Sequence, residues 1–165
     1  MAQTKLGETV VNTVGDLPLV GSSAVPFTLT GNDLKYVSSM QFAGKKIILN
    51  IFPSIDTGVC AASVREFNKR AASLQNTVIL CIAKDLPFAM KRFCGAEGVS
   101  NIITLSDFRN LGFGKTYGVQ LADGAFKDLL ARAIVVIDER GVVKHTELVP
   151  QIGQEPNYEA AIAAL

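Results

Sequence analysis

The stretch Ile47–Cys60 (IILNIFPSIDTGVC) contains the change of pattern that decides the fold. Its first six residues, Ile47–Phe52, form a nearly continuous apolar run that ends at Pro53. A run of this kind is typical of a strand that is covered on both faces, as in a parallel sheet. We therefore predict a central buried strand here, followed by a loop that leads from Pro53 into the next element.

Downstream of this strand the apolar pattern becomes helical. Five residues recur at spacings of four, three, four and three, and they form a single stripe: Cys60, Val64, Phe67, Ala71 and Leu74. Such spacing indicates an amphipathic helix with its charged side chains on the opposite face. A second apolar run, Thr77–Ala83, predicts the next buried strand.

The rest of the chain continues the alternation of strands and helices. Asp85 is predicted to cap a short helix that has Pro87 in its first turn, runs through Cys94 and ends before Gly95. The remaining predicted elements are short strands and turns in the first forty-odd residues, a strand at Asn101–Leu105, a glycine-broken helical piece capped by Ser106 and Asp107, a hairpin of Ala133–Ile137 and Val142–Glu147, and a helix opened by Pro156. Together they predict one α/β sandwich domain over residues 1–165, with right-handed crossovers between the parallel strands.

Composition excludes several classes of protein. The chain has 165 residues, of which 48% are hydrophobic and 19% charged, so it can form a core and is not intrinsically disordered. Its formal net charge of +1 gives no basic field for binding nucleic acid. No uncharged apolar run approaches the roughly 18–20 residues needed to span a bilayer. Residues 1–8 lack the apolar segment of a secretory signal, and we therefore expect a cytoplasmic protein.

The three cysteines, Cys60, Cys81 and Cys94, do not suit a structural disulfide framework, because their number is odd. There is no C-x-x-C pair, and the single histidine is His145. A structural zinc site needs four closely spaced Cys or His ligands, so we expect none here. In a reducing compartment the remaining options for each thiol are a buried, inert thiol or a reactive one.

Cys60 occupies an informative position, because Thr57 is a suitable N-cap and Cys60 is then the third residue of the helix. In that register the Thr57 hydroxyl is expected to accept a hydrogen bond from the Cys60 N–H. The partial positive charge of a helix N-terminus favours thiolate over thiol, and the thiolate is the nucleophile. The apolar stripe turns Cys60 inward, so a thiolate there needs a nearby cation. The alternative, a small core residue beside an ordinary cap, remains open on these residues alone.

Two longer blocks of sequence add a family resemblance. Pro53, Thr57 and Cys60 form a P-x-x-x-T-x-x-C pattern that resembles the active-site signature of peroxiredoxins. The blocks SIDTGVCAASVREFN and DLPFAMKRFCGAEG resemble the bacterial thiol peroxidase branch, the atypical two-cysteine peroxiredoxins, and the resemblance extends over essentially the whole chain. It implies a thioredoxin-like α/β fold, a three-layer sandwich with an N-terminal β-hairpin extension.

The resemblance also implies roles for individual residues. Cys60 is then the peroxidatic cysteine, which attacks a peroxide and becomes a sulfenic acid, and Cys94 is the resolving cysteine that forms a disulfide with it. Thr57 is expected to hydrogen-bond the thiolate and the peroxide, Pro53 to shield the sulfenate, and Arg132 to hold sulfur and peroxide oxygen together. From the residues alone, Arg132 also suits a solvated strand end, and Cys94 an incidental thiol at a helix end. Cys81 lies within an apolar strand, and we predict that it is inert.

By the same resemblance the reaction is antioxidant: hydrogen peroxide or an organic hydroperoxide is reduced, and thioredoxin recycles the Cys60–Cys94 disulfide. No metal, haem or flavin is implied, and a homodimer is expected. Three apolar residues, Phe113, Tyr117 and Phe126, are candidates for lining an interface or pocket. The rival functions are a disulfide exchanger, disfavoured by the missing C-x-x-C pair, and a peroxide-sensing redox switch without turnover.

Two further features are predicted to carry no chemistry. Gly112–Thr116 ends like a phosphate-binding loop, but Arg109 stands where that motif has glycine and no strand precedes it. His145 is alone on a hairpin strand, where a surface position is expected. One histidine there cannot complete a Ser-His-Asp set.

Overall fold

A central seven-stranded sheet organises the molecule, and the computed structural model describes all 165 residues. Its strands are β3 (Thr28–Thr30), β4 (Tyr36–Ser38), β5 (Lys46–Ile51), β6 (Thr77–Ala83), β7 (Ile103–Ser106), β8 (Ala133–Ile137) and β9 (Val143–Leu148). Their order in the sheet is β4-β3-β7-β6-β5-β8-β9, with β5, β6 and β7 parallel and the other neighbours antiparallel. The central parallel strands therefore bring their carboxyl ends to one edge.

Four helices accompany the sheet: α1 (Gly58–Ala71), α2 (Pro87–Glu97), α3 (Phe113–Thr116) and α4 (Tyr158–Ala163). Side chains of α1, α2 and α4 pack on one sheet face, around Ile48, Cys81 and Val136. Phe113 of α3 and the aromatic Phe27 and Tyr117 cover the other face. This is the predicted three-layer α/β sandwich, and the apolar runs of β5 and β6 have their physical reason in burial on both sides. No helix is both long enough and apolar enough to cross a membrane.

The N-terminal hairpin, β1 (Gln3–Leu6) and β2 (Thr9–Asn12), forms a separate two-stranded antiparallel sheet, as the family resemblance predicts. Lys5 joins it to the C-terminal part of the chain. The Lys5 N–H donates to the Pro150 carbonyl at 3.0 Å, and the Ile152 N–H donates to the Lys5 carbonyl at 2.9 Å. The hairpin therefore fixes the backbone around residue 152.

The predicted start and end of α2 are wrong. Leu86, not Asp85, is the N-cap, because the Asp85 carboxylate accepts hydrogen bonds from Ser54 and Ile55 instead. The helix also continues past Gly95 and ends at Gly98, which has a left-handed φ of 65°. Glycine adopts that conformation without steric cost and terminates helices there. Cys94 therefore lies inside the last turn of α2.

Two of the expected interface residues are instead core residues. Phe113 and Tyr117 are 2% and 1% exposed, and their rings pack against Phe27 with centroids 5.3 and 5.7 Å away. Phe126 is half-buried against the small apolar cluster around Val11 and Ile152. The prediction that these side chains line an interface or pocket is thus wrong for Phe113, while Tyr117, too buried for an interface, lines a cavity. The helical piece expected directly after Ser106 and Asp107 begins only at Phe113.

Candidate active site

Cys60 is the third residue of α1, as predicted, and its side chain is fully buried. It packs in the same apolar cluster as Val64 and Phe67, between the helix and the sheet. Its sulfur accepts a hydrogen bond from Arg132 Nη2 at 3.1 Å. The cation that a buried thiolate requires is therefore in direct contact with this sulfur.

Arg132 precedes β8, and only 1% of it is exposed. Its Nε donates to the Ile152 carbonyl at 2.7 Å, and its Nη1 is buried without a protein partner. None of the six ion pairs in the structure involves Arg132. A buried charge without a counter-ion is costly, so an ionised Cys60 stabilises the guanidinium as much as the guanidinium stabilises it. The alternative of a solvated strand-end arginine is wrong.

Thr57 is the N-cap of α1, with extended backbone angles, but its hydroxyl does not bond the Cys60 N–H. The expected capping bond is therefore wrong. The hydroxyl has turned away and donates to the Ser54 carbonyl at 3.2 Å. No side chain thus caps the amino end of α1, and the lone pairs of the Thr57 oxygen remain free to accept a hydrogen bond.

The loop between β5 and α1 is held by a contact that sequence reasoning missed. Asp85, just beyond β6, accepts from the Ser54 hydroxyl at 2.7 Å and from the Ile55 N–H at 3.0 Å. Pro53, before these residues, is buried. The available signal was topological: β5 and β6 are parallel neighbours, so the residues that follow them meet at the same sheet edge.

Cys94 is half-buried in α2 and packs against the apolar cluster that contains Cys60. Both thiols are free. Burial raises the pKa of Cys94, an effect partly opposed by the Thr104 hydroxyl, whose oxygen is 3.9 Å from the sulfur. The Cys94 carbonyl accepts the N–H groups of Gly98 and Val99 that close the helix. The second thiol therefore belongs to the turn of α2 that is most easily frayed.

Three contacts connect α2 to the middle of α1 and to the loop before α1. Arg65 forms two hydrogen bonds of 2.9 Å with Glu97, and its guanidinium lies 5.7 Å from the Phe93 ring centre. Arg92 forms an ion pair of 3.1 Å with Asp56. These contacts bracket Cys94, so rearranging the carboxyl end of α2 requires breaking them.

Cys81 is fully buried in β6, on the helical side of the sheet. Burial raises its pKa to about 12, although the Asn50 amide, 3.6 Å away, opposes this in part. The thiol is therefore protonated at neutral pH, as an inert structural thiol must be.

The residues set aside in the sequence lie away from these thiols. Phe113 and Gly114 of the Gly112–Thr116 segment are buried in the other core. His145, on β9, is half-buried rather than at the surface, and its Nε2 has no partner.

A cavity of about 310 Å³ lies at the amino end of β5, between Phe42 and Tyr117, and no cysteine lines it. No three His, Cys, Asp or Glu side chains are grouped to hold a metal ion.

Comparison with known proteins identifies the family. The Redoxin family model matches residues 19–162. The chain is 62% identical to the thiol peroxidase of Mycobacterium tuberculosis and 52% identical to that of Corynebacterium glutamicum, each over 165 residues covering 100% of this chain and 99% of the relative.

Solved structures agree with this. A peroxiredoxin-like protein from Aquifex aeolicus superposes with a TM-score of 0.91 at 33% identity, covering 99% of this chain and 96% of that one. A thiol peroxidase from Chromobacterium violaceum gives a TM-score of 0.90 at 21% identity over 98% and 93% of the two chains, which shows the shared fold. The structure places a buried cysteine of α1 in contact with a buried arginine. The family model and the relatives show that the chain belongs to the Redoxin family and, within it, to the thiol peroxidases.

Proposed function

We propose that this thiol-dependent peroxidase uses Cys60 as its peroxidatic nucleophile and Cys94 as its resolving thiol. The observation that carries the assignment is the 3.1 Å contact between Arg132 Nη2 and the Cys60 sulfur in a buried, apolar setting. Cys94 and Cys81 have raised pKa values and no cation beside their sulfurs. Among the three thiols, Cys60 is therefore the one whose sulfur accepts a hydrogen bond from a cation.

In the first step the Cys60 thiolate attacks the terminal oxygen of a hydroperoxide. A sulfur–oxygen bond forms, the O–O bond breaks, and the sulfur is oxidised to a sulfenic acid while the peroxide is reduced. The departing alkoxide or hydroxide takes a proton and leaves as alcohol or water. Arg132 Nη2 contacts the sulfur and Nη1 has no protein partner, so Nη1 can donate to a peroxide oxygen and stabilise the charge that develops on it.

Thr57 and Pro53 complete the proposed pocket. The Thr57 hydroxyl gives its single proton to Ser54, so it is available to the peroxide as an acceptor of the terminal O–H. Pro53 has no N–H and is buried in the loop before Cys60. In that position it shields the sulfenic acid from a second peroxide, which would oxidise it to the sulfinic acid.

In the second step the Cys94 thiolate attacks the Cys60 sulfenic sulfur. A sulfur–sulfur bond forms, the sulfur–oxygen bond breaks, and the oxygen leaves as hydroxide, which takes a proton from solvent to become water. Because both helices are intact while the thiols are reduced, we propose that the last turn of α2 and the first turn of α1 loosen after oxidation. The position of Cys94 in a terminal turn supports this step.

A thioredoxin-type dithiol then reduces the disulfide by thiol exchange and returns the enzyme to its starting state. Hydrogen peroxide and organic hydroperoxides are the proposed substrates.

The homodimer and the cytoplasmic location stay predictions. We also infer that residues 1–165 form one domain, since the hairpin β1–β2 and Arg132 both bond the segment around Ile152. The relatives favour the enzyme over a sensing switch without turnover.

The test is NADPH consumption in a coupled thioredoxin assay, comparing the wild type with Cys60→Ser, Cys94→Ser and the matched control Cys81→Ser. We expect turnover from the wild type and from Cys81→Ser, and none from Cys60→Ser. Cys94→Ser should react once with peroxide and stop. Sustained turnover by Cys60→Ser would refute the assignment of the nucleophile, and a wild type that reacts only stoichiometrically would favour the sensor.

A further inference from the structure

Asp85 stands at the carboxyl end of β6, beside the loop that carries the catalytic residues. Its two carboxylate oxygens are both used in that loop, one by the Ser54 hydroxyl at 2.7 Å and the other by the Ile55 N–H at 3.0 Å. Hydrogen bonds to an ionised acceptor are shorter and about twice as strong as neutral ones. Asp85 lies in the connection between β6 and α2, and it therefore holds two consecutive residues of another connection, the β5–α1 loop.

Ser54, in turn, orders the residues that follow it. Its hydroxyl oxygen accepts from the Asp56 N–H at 3.1 Å, and its carbonyl accepts from both the N–H and the hydroxyl of Thr57 at 3.2 Å. Thr57 is the N-cap from which α1 begins, three residues before Cys60. A continuous series of hydrogen bonds thus runs from the Asp85 carboxylate to the first residue of the catalytic helix.

Asp85 is itself fixed by the sheet rather than by a cation. Its carbonyl accepts from the Ser106 hydroxyl at the end of β7, and it takes part in none of the six ion pairs. Pro87, two residues later, begins α2. The residue therefore links the ends of β5, β6 and β7 and the start of the helix that carries Cys94.

We propose that Asp85 is a positioning residue for the peroxide reaction: it sets the place of Thr57 and Cys60 by holding Ser54 and Ile55. The inference rests on the proposed role of Cys60. Attack on a peroxide needs the sulfur, the attacked oxygen and the leaving oxygen in line, and displacement of a reacting group by 1 Å can cost about 100-fold in rate. Asparagine does not reproduce this arrangement, because its amide places an NH2 donor where Asp85 has the second of its two accepting oxygens.

Charge and position predict opposite effects when Asp85 is changed. Removing a negative charge near Cys60 would, on charge alone, favour the thiolate and speed its oxidation. Loss of positioning would slow it. The direction of the rate change therefore separates the two explanations.

The experiment measures the second-order rate constant of Cys60 oxidation by stopped flow, and separately the rate of Cys60–Cys94 disulfide formation. For Asp85→Asn and Asp85→Ala we expect oxidation to slow about tenfold or more, with disulfide formation within twofold of the wild type. In steady state, kcat/KM for peroxide should fall while kcat/KM for the reductant is unchanged. A purely structural role would not lower kcat/KM for peroxide while leaving kcat/KM for the reductant unchanged.

The matched control is Asp138→Asn. Asp138 also accepts two hydrogen bonds, from the N–H groups of Arg140 and Val142, but in the turn between β8 and β9, away from Cys60. Both bonds reach the same oxygen, Oδ1, so we expect Asp138→Asn to fold and its Cys60 to be oxidised at the wild-type rate. If Asp85→Ala does not fold, Asp85→Asn and Ser54→Ala still test the series of hydrogen bonds, and each should slow oxidation.

Wild-type or faster oxidation in Asp85→Asn, or equal slowing in Asp138→Asn, would overturn the inference. Cys60→Ser separates this failure from failure of the proposed function. If Cys60→Ser does not react and Asp85→Asn reacts normally, only the positioning role is wrong. If Cys60→Ser still reduces peroxide, the assignment of the nucleophile itself is wrong.

Discussion

Arg65 of α1 and Glu97 of α2 form a paired contact, with Nε–Oε2 and Nη2–Oε1 both 2.9 Å apart. The pair closes the gap between the two helices that carry the reactive thiols. Glu97 lies one residue before the Gly98 cap and three after Cys94. The contact therefore restrains the turn of α2 that, in the proposed mechanism, rearranges before the Cys60–Cys94 disulfide forms.

Glu97→Gln should accelerate disulfide formation. The substitution removes the charge that holds Arg65 and leaves the helix-ending Gly98 in place. Because both side chains are partly exposed and screened by water, we expect a gain of only about two- to fivefold. Acid quenching after one equivalent of peroxide, followed by mass spectrometry, measures the rate. The control is Glu66→Gln, whose partner Arg70 is on the same helix, and it should have no effect. A rate unchanged in Glu97→Gln contradicts the restraint.

Arg132→Lys should slow the reaction of Cys60 with peroxide by about 100- to 1,000-fold, the range found when a donor to a developing oxyanion is removed. Lysine keeps the charge but cannot bond Ile152, sulfur and peroxide from one planar group. Stopped-flow oxidation and a thermal melt are measured on the same sample. A slow but well-folded variant supports the role, and a rate within threefold of the wild type refutes it.

Disulfide formation should become faster as the pH rises. Burial raises the pKa of Cys94, so at neutral pH this thiol is mostly protonated, while only the thiolate attacks the sulfenic sulfur. Below the pKa, we expect the rate to rise roughly tenfold per pH unit between pH 6 and pH 8. Quenched-flow samples of the oxidised enzyme across this range give the profile. A flat profile would show that helix opening limits the rate instead.

Cys81 should make stability depend on alkaline pH. Burial raises its pKa to about 12, whereas an exposed thiol in the unfolded chain titrates near about 8.5. Its contribution to stability is complete below the unfolded value and is lost as the pH rises through the folded one. In Cys81→Ala, the free energy of unfolding should therefore fall less steeply from pH 9 to 11, by about 1.4 kcal/mol per pH unit.

Urea unfolding at each pH checks this difference, and Cys81→Ser should show the same change of slope. Parallel curves for the wild type and both variants would contradict it. Both variants should keep peroxidase activity, because the proposed mechanism does not use Cys81. Cys81→Ser should lower stability by placing a hydroxyl in the apolar core.

Local pattern was enough to predict the elements around Cys60. The apolar run Thr77–Ala83 coincides with β6, and the stripe from Cys60 to Ala71 lies along α1. These predictions succeed because a buried strand or helix face requires apolar residues at regular positions along the sequence. The helix register also placed Cys60 correctly, although the Thr57 hydroxyl bonds a different partner.

Tertiary contacts explain the failures. Asp85 fits an N-cap by sequence, but its oxygens are taken by a loop 30 residues away. Tyr117 suits a surface loop by sequence, but it is buried against Phe27 and donates to the Val25 carbonyl. The Arg132–Cys60 contact joins residues 72 apart and was found only through family resemblance. No short-range pattern encodes such pairings.

The Arg132 guanidinium is oriented by its hydrogen bond to the backbone carbonyl of Ile152. The Ile152 N–H in turn donates to the carbonyl of Lys5 in the N-terminal hairpin. The contact with Arg132 uses the backbone carbonyl, so it depends on where the main chain runs at residue 152, whereas the Ile152 side chain packs in the cluster with Val11. What evolution must preserve there is the path of the main chain. Deleting β1 would consequently disable an enzyme that still possessed every one of its reactive side chains.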